Sequence, residues 1–257
     1  MILYFADQKT LGLWLLVSQL TTFLTALDAG LSSSSVRQFV GAASANDPGR
    51  LAPRFQSTLL ISTFQGLLII LIGLAGADFA GHVLAVPIDL RNQFVLLLAA
   101  QSVLIGLTFP LRPFSSILLA AQRFGLNYIG NAALLFVAVL TGWLGFVLGL
   151  GIWGLFAGNV LVGIGQFFLA VTGVARMGFL PKLFKQWEIR RPDLVKIAKE
   201  SLEFASGSFF GALSGLLQST ILSRLFGLEG VATWNVGAKI VTVLSQLLSK
   251  FFESSFG

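Results

Sequence analysis

Five long stretches of this chain carry no charged residue: 10–27, 55–77, 92–111, 124–175 and 204–223. An α-helix needs about 20 apolar residues to cross a hydrocarbon core of about 30 Å, so each stretch is long enough for at least one crossing. The fourth, at 52 residues, holds two crossings, and Gly149-Leu150-Gly151 in its middle supplies a tight turn with no charge to solvate. A seventh crossing is expected over 231–252, although Lys239 and Lys250 interrupt it. The expected fold is therefore all-α, a polytopic membrane protein of about seven transmembrane helices. Only 11% of the residues are charged, against roughly 25% in soluble domains. The 28 glycines fit the same class, because glycine is more frequent in membrane helices than in soluble ones.

Several chemistries are excluded by composition. With no Cys and a single histidine, His82, the chain has neither thiolate chemistry nor a Cys/His metal cluster. No metal, cofactor or catalytic residue is expected. A net charge of +6 would suggest nucleic acid in a soluble protein, but here the placement of the charges points to the bilayer. Twelve basic residues fall on one side of the expected helices: Arg37, Arg50, Arg54, Arg112, Arg123 and seven between Arg176 and Lys199. The other side holds Lys9, Arg91 and Arg224. By the positive-inside rule the basic side is cytoplasmic. That puts Met1 outside, which asks for a preceding helix, and the chain reads as a piece of a longer protein.

The same charges suggest an organisation. Residues 1–175 form an N-terminal bundle of five spans, 176–203 a cytoplasmic amphipathic linker, and 204–257 the first two helices of a second bundle. In the linker, Phe179, Leu180, Leu183, Phe184 and Trp187 recur at helical spacing between Lys182, Lys185 and Glu188, an interfacial-helix pattern. Asp193 is expected to N-cap the helix that follows Pro192.

Polar groups in hydrocarbon cost free energy unless they pair or face water, so their alignment matters. Asn235, Lys239, Thr242, Gln246, Lys250 and Glu253 share one helical face, as do Gly207, Gly211, Ser214 and Gln218, and as do Gln101, Thr108, Arg112 and Ser115. Most small and hydroxyl residues of this kind serve helix packing. Lys239, about 12 Å along its helix at 1.5 Å per residue, should instead face a water-filled cavity or an acidic partner. Phe109-Pro110-Leu111-Arg112-Pro113 leaves two readings open. The prolines break the helix beside a cavity that Arg112 enters, or the helix ends there and Arg112 lies at the surface. Asp28 is expected at the cytoplasmic end of the first span, capping a turn.

Three short stretches resemble a known family. Leu11-Gly12-Leu13-Trp14 with Leu27-Asp28-Ala29-Gly30-Leu31 and Val36-Arg37, then Ala121-Gln122-Arg123-Phe124 with Asn127, and finally 221–229 with Val231-Ala232 and Asn235 are similar to segments of polysaccharide and O-antigen flippases. These belong to the multidrug/oligosaccharidyl-lipid/polysaccharide exporter superfamily. The resemblance implies two helical bundles around a central cavity, with helices two to eight of the family present here. It implies an alternating-access transporter, not an enzyme, that moves undecaprenyl-diphosphate-linked oligosaccharides to the outer leaflet of the bacterial inner membrane. Polysaccharide assembly proteins would be its partners. A cationic cavity suits a diphosphate, and Lys239, Arg112, Arg224, Asn235 and Gln218 are the substrate-binding candidates.

Two other classes compete. A cation-coupled multidrug exporter of the same superfamily needs intramembrane acids, and the charge-free stretches hold none. A membrane enzyme acting on the lipid carrier would need acids or histidines converging at a membrane face, for which Asp78, His82 and Asp89 are the only set.

Overall fold

A computed structural model describes residues 7–28, 30–45, 47–185 and 191–256, with side chains described over the same residues except 27, 44, 191, 202–208 and 239–256. Among the described residues all regular structure is helical. Helix α1 (Gln8–Thr25) begins at Asp7, whose carboxylate accepts the Thr10 N–H at 3.3 Å. A 3-10 turn (Ala26–Asp28) and Gly30, at φ 72°, separate it from α2 (Leu31–Ser44). Asp47 caps α3 (Pro48–Val83) by accepting from Gly49 and Arg50, with proline at the first helical position, where its missing donor costs nothing. Helix α4 (Ile88–Thr108) passes through a 3-10 turn (Phe109–Leu111) into α5 (Arg112–Ala120). The α6 (Phe124–Val147) and α7 (Ile152–Arg176) hairpin follows, then the four-residue α8 (Leu180–Leu183) and the long α9 (Arg191–Phe256).

Among the described residues, five helical stretches are long and apolar enough to cross a membrane: Pro48–Val83, Ile88–Ala120, Phe124–Val147, Ile152–Arg176 and Phe209–Ala238. The first expected span, 10–27, is helical but not among them. Gln8, Lys9, Ser18, Gln19 and several threonines lower the hydropathy of α1, while Leu13, Leu16 and Val17 are buried inside the protein. The last two expected spans lie on α9, which bends at Gly227 (φ 67°, ψ −168°), a backbone conformation that glycine adopts without a Cβ penalty. A straight helix would hold Phe210 and Trp234 about 36 Å apart, yet both line one groove of about 640 Å³. Helix α9 is therefore folded back on itself at Gly227.

Close backbone approach holds the bundle together. A Cβ on Gly66 would meet the Gly106 carbonyl oxygen at 2.3 Å, and one on Gly145 would meet the Gly154 Cα at 2.3 Å. Such contacts between small residues take the place of the hydrophobic driving force that lipid does not supply. Up to its bend at Gly227, α9 runs antiparallel to α1 and α2 along their length. Gly12 lies against Leu228, Gln19 against Gly215 and Phe23 against Phe209. At the far end Ser34 and Ser201 share a hydrogen bond of 3.0 Å, and the Gln38 amide donates to Glu200 at 2.9 Å.

The linker departs from its expected form. Phe179 and Leu183 are buried with Phe39, Phe55 and Phe114 rather than lying on lipid, while Phe184 of the same stripe stays exposed, and between residues 177 and 185 only α8 is helical. Trp187 and Glu188 lie outside the described residues. Asp193 sits in the first turn of α9 rather than at its cap, because the helix already starts at Arg191.

Candidate functional site

The strongest polar constellation within the bundle forms where two helices break at the same level. The turn between α1 and α2 carries Asp28, and the turn between α4 and α5 presents Phe109 and Arg112. Arg112 Nη1 lies 3.0 Å from Asp28 Oδ1, and its guanidinium rests 3.7 Å from the centroid of the Phe109 ring. The other carboxylate oxygen of Asp28 accepts the Ser32 N–H at 3.4 Å, in the first turn of α2. That bond meets one of the orphan donors of a helix start, where the macrodipole also favours negative charge. The Gln65 side chain on α3 donates to the Asp28 backbone carbonyl at 3.4 Å.

The depth of this pair follows from its neighbours. Gln65 and Gly66 occupy the middle of the charge-free stretch 55–77, and the Cβ of Phe109 comes within 3.2 Å of the place a Cβ on Gly66 would take. Asp28 and Phe109 are therefore level with the centre of the apolar part of α3. The side chains of Asp28 and Arg112 retain 18% and 27% of their exposure, so the pair is largely withdrawn from solvent. Asp28 does not end a span at the cytoplasmic surface, as its sequence neighbours suggested; 10–27 and 31–44 are the two limbs of one broken element. Arg112 is held by the Asp28 carboxylate, a partner that neither reading of its sequence surroundings included.

The remaining sequence candidates are dispersed. Arg224 donates from Nε to the Val83 carbonyl at 2.7 Å and so satisfies the C-terminal end of α3 at the surface. Gln218 lines the groove between the limbs of α9 with Phe210, Ser214, Leu217 and Trp234. Asn235 donates to the Val231 carbonyl of its own helix at 2.9 Å. The Lys239 side chain lies outside the described residues. Asp78, the core of the alternative enzyme set, is paired with Arg91 at 3.0 Å, and Arg91 also contacts the His82 ring, all at an exposed helix connection. Asp89 lies in the first turn of α4. Sequence reading missed the Asp28–Arg112 pair because its members are far apart in the chain; the one available signal was that each charge sits beside a helix breaker, Gly30 or Pro110 and Pro113.

No protein-family model matches the chain, and neither does any curated protein sequence. A solved structure does share its fold. That structure is described as the inward-facing conformation of a multidrug resistance MATE family transporter of the MOP superfamily, and the match has a TM-score of 0.61 at 16% identity. It covers 92% of this chain and 54% of that one, so the chain spans about half the length of the structure it matches.

Proposed function

We propose that this protein is an alternating-access membrane transporter that carries lipid-linked oligosaccharides from the cytoplasmic to the outer leaflet of a bacterial inner membrane. The observation that carries the transport reading is the ion pair between two broken helices, within a fold shared with an inward-facing transporter. Broken helices beside an intramembrane charge are a recurrent way to build a site that alternating halves can expose in turn. In this reading the two limbs of α9 are separate spans, giving seven in all. Residues 1–175 belong to one bundle, 176–203 to the cytoplasmic connection and 204–257 to the start of a second. The lipid-linked substrate is supported by the flippase-like segments and by the excess of arginine and lysine, which suits a diphosphate. Transport of this kind makes and breaks no covalent bond and needs no cofactor.

A cation-coupled multidrug exporter is the second reading. Asp28 favours it, since intramembrane carboxylates mark ion pathways and Asp28 supplies an acid that the charge-free stretches lack. One reconstitution separates the two. Proteoliposomes are loaded with a fluorescent undecaprenyl-diphosphate oligosaccharide, and translocation is followed with an impermeant quencher; parallel vesicles report ethidium movement under an imposed sodium or proton gradient. Lipid translocation above protein-free vesicles supports the flippase. Gradient-driven ethidium movement without lipid translocation replaces it with the exporter, and neither activity refutes transport by this chain.

A further inference from the structure

The 52-residue charge-free stretch is bounded by Arg123 and Arg176, and folding into the α6–α7 hairpin returns these two residues to the same end of the bundle. They line one concavity of about 670 Å³ with Ala43, Gln122, Met177 and Phe179. Among the described residues no carboxylate lines it. Among the described residues neither guanidinium makes an ion pair or hydrogen bond, in contrast to Arg50, Arg91 and Arg112, each of which has a carboxylate. The position of Arg123 is set by a tight turn: Gln122 has φ 56°, and the Arg123 N–H donates to the Leu118 carbonyl at 2.8 Å. Directly after Arg123, α6 presents Phe124 and Tyr128, stacked with ring centroids 6.2 Å apart, and Ile129, all exposed. Two unneutralised cations thus line the concavity at the boundary of the spans, and exposed apolar side chains follow Arg123 directly on α6.

We propose that Arg123 and Arg176 bind the phosphate headgroup of an anionic phospholipid, whose acyl chains lie along Phe124, Tyr128 and Ile129. The charge selects an anion, and guanidinium groups offer planar paired donors suited to a phosphodiester. The exposed apolar side chains select a lipid over free phosphate, and basic pockets between membrane helices bind lipid headgroups on this physical basis. The site does not depend on what the protein transports.

The test uses the detergent-solubilised protein, with bound lipid counted by native mass spectrometry and affinity read from fluorescence-monitored melting during titration. Phosphatidylglycerol is expected to bind and to raise the melting temperature, whereas phosphatidylcholine and inorganic phosphate at matched concentration are not. The double variant R123Q/R176Q should weaken phosphatidylglycerol about 30-fold, at the usual contribution of a basic residue near an anionic lipid. R123K/R176K should stay within a few-fold of wild type, and K185Q, outside the concavity, within about twofold. If R123Q/R176Q does not purify, each single glutamine variant should weaken binding about fivefold. Wild-type phosphatidylglycerol binding in the glutamine variants, equal binding of phosphatidylcholine, or an equal effect of inorganic phosphate would each overturn the proposal.

Discussion

Replacing Asp28 by Asn or Arg112 by Gln leaves a charge inside the membrane without its partner. At 3.0 Å and an effective dielectric near 20, the two unit charges attract by roughly 5 to 6 kcal/mol. Desolvation of both groups offsets much of that gain, but removing one member of a buried pair costs about 3 to 5 kcal/mol, because the survivor stays buried. With 18% and 27% exposure, a cost just below that range, about 2 to 3 kcal/mol, is expected for either single change. For a chain of this length each kcal/mol is worth roughly 2 to 4 °C of melting temperature, so each variant should melt about 5 to 10 °C lower. The double variant D28N/R112Q replaces the pair by two neutral amides and should melt no lower than either single one. The coupling of residues in direct contact, about 1 to 3 kcal/mol, is read from the four melting temperatures in one detergent at one scan rate. Strictly additive losses, or single variants within 1 °C of wild type, would show that the contact has no energetic reality.

Three further outcomes follow from the packing and the charge pattern. Gly66→Leu inserts a side chain where even a Cβ would lie 2.3 Å from the Gly106 carbonyl oxygen; the helices must separate, and gel filtration should show aggregated protein, whereas a monodisperse wild-type profile would refute the close approach. A cysteine at Lys185 should resist, and one at Ile88 should react with, an impermeant thiol reagent added outside intact cells, in a background free of native Cys; the reverse result would invert the orientation drawn from the positive-inside rule. Lys239→Ala is expected to reduce translocation of a diphosphate-linked lipid with the melting temperature unchanged, and Lys239→Arg to restore part of it; full activity in Lys239→Ala at normal expression would remove this lysine from the substrate path.

The membrane class and most of the spans were legible in the sequence because hydrocarbon imposes a length and an apolarity on each helix separately, so every test is local. The 52-residue stretch split at Gly149 and Gly151, where α6 ends and α7 begins, as a turn without charge requires. The limits of that local logic show in α1. Its polar residues make it a poor lipid-facing helix, yet it forms the interior of the bundle because α9 covers it from Gly12 to Phe23, and which face is covered is a property of the neighbours.

The charged sites were legible only as charges. Nothing in the run 10–27 announces that Asp28 stands mid-bundle. Its depth depends on α2 continuing the line of α1 after Gly30, and its partner stands 84 positions away. Arg112 was visible beside its prolines, but whether a broken helix exposes an arginine to water or hands it to a carboxylate is decided by what the next helix brings to the same level. Arg123 and Arg176 mark the ends of one apolar run in the sequence, and only the hairpin between them places both on one concavity. Hydropathy is a sum over neighbours in the chain, whereas pairing of charges is a distance in space that depends on helix register, break angle and close backbone packing at residues such as Gly66 and Gly106.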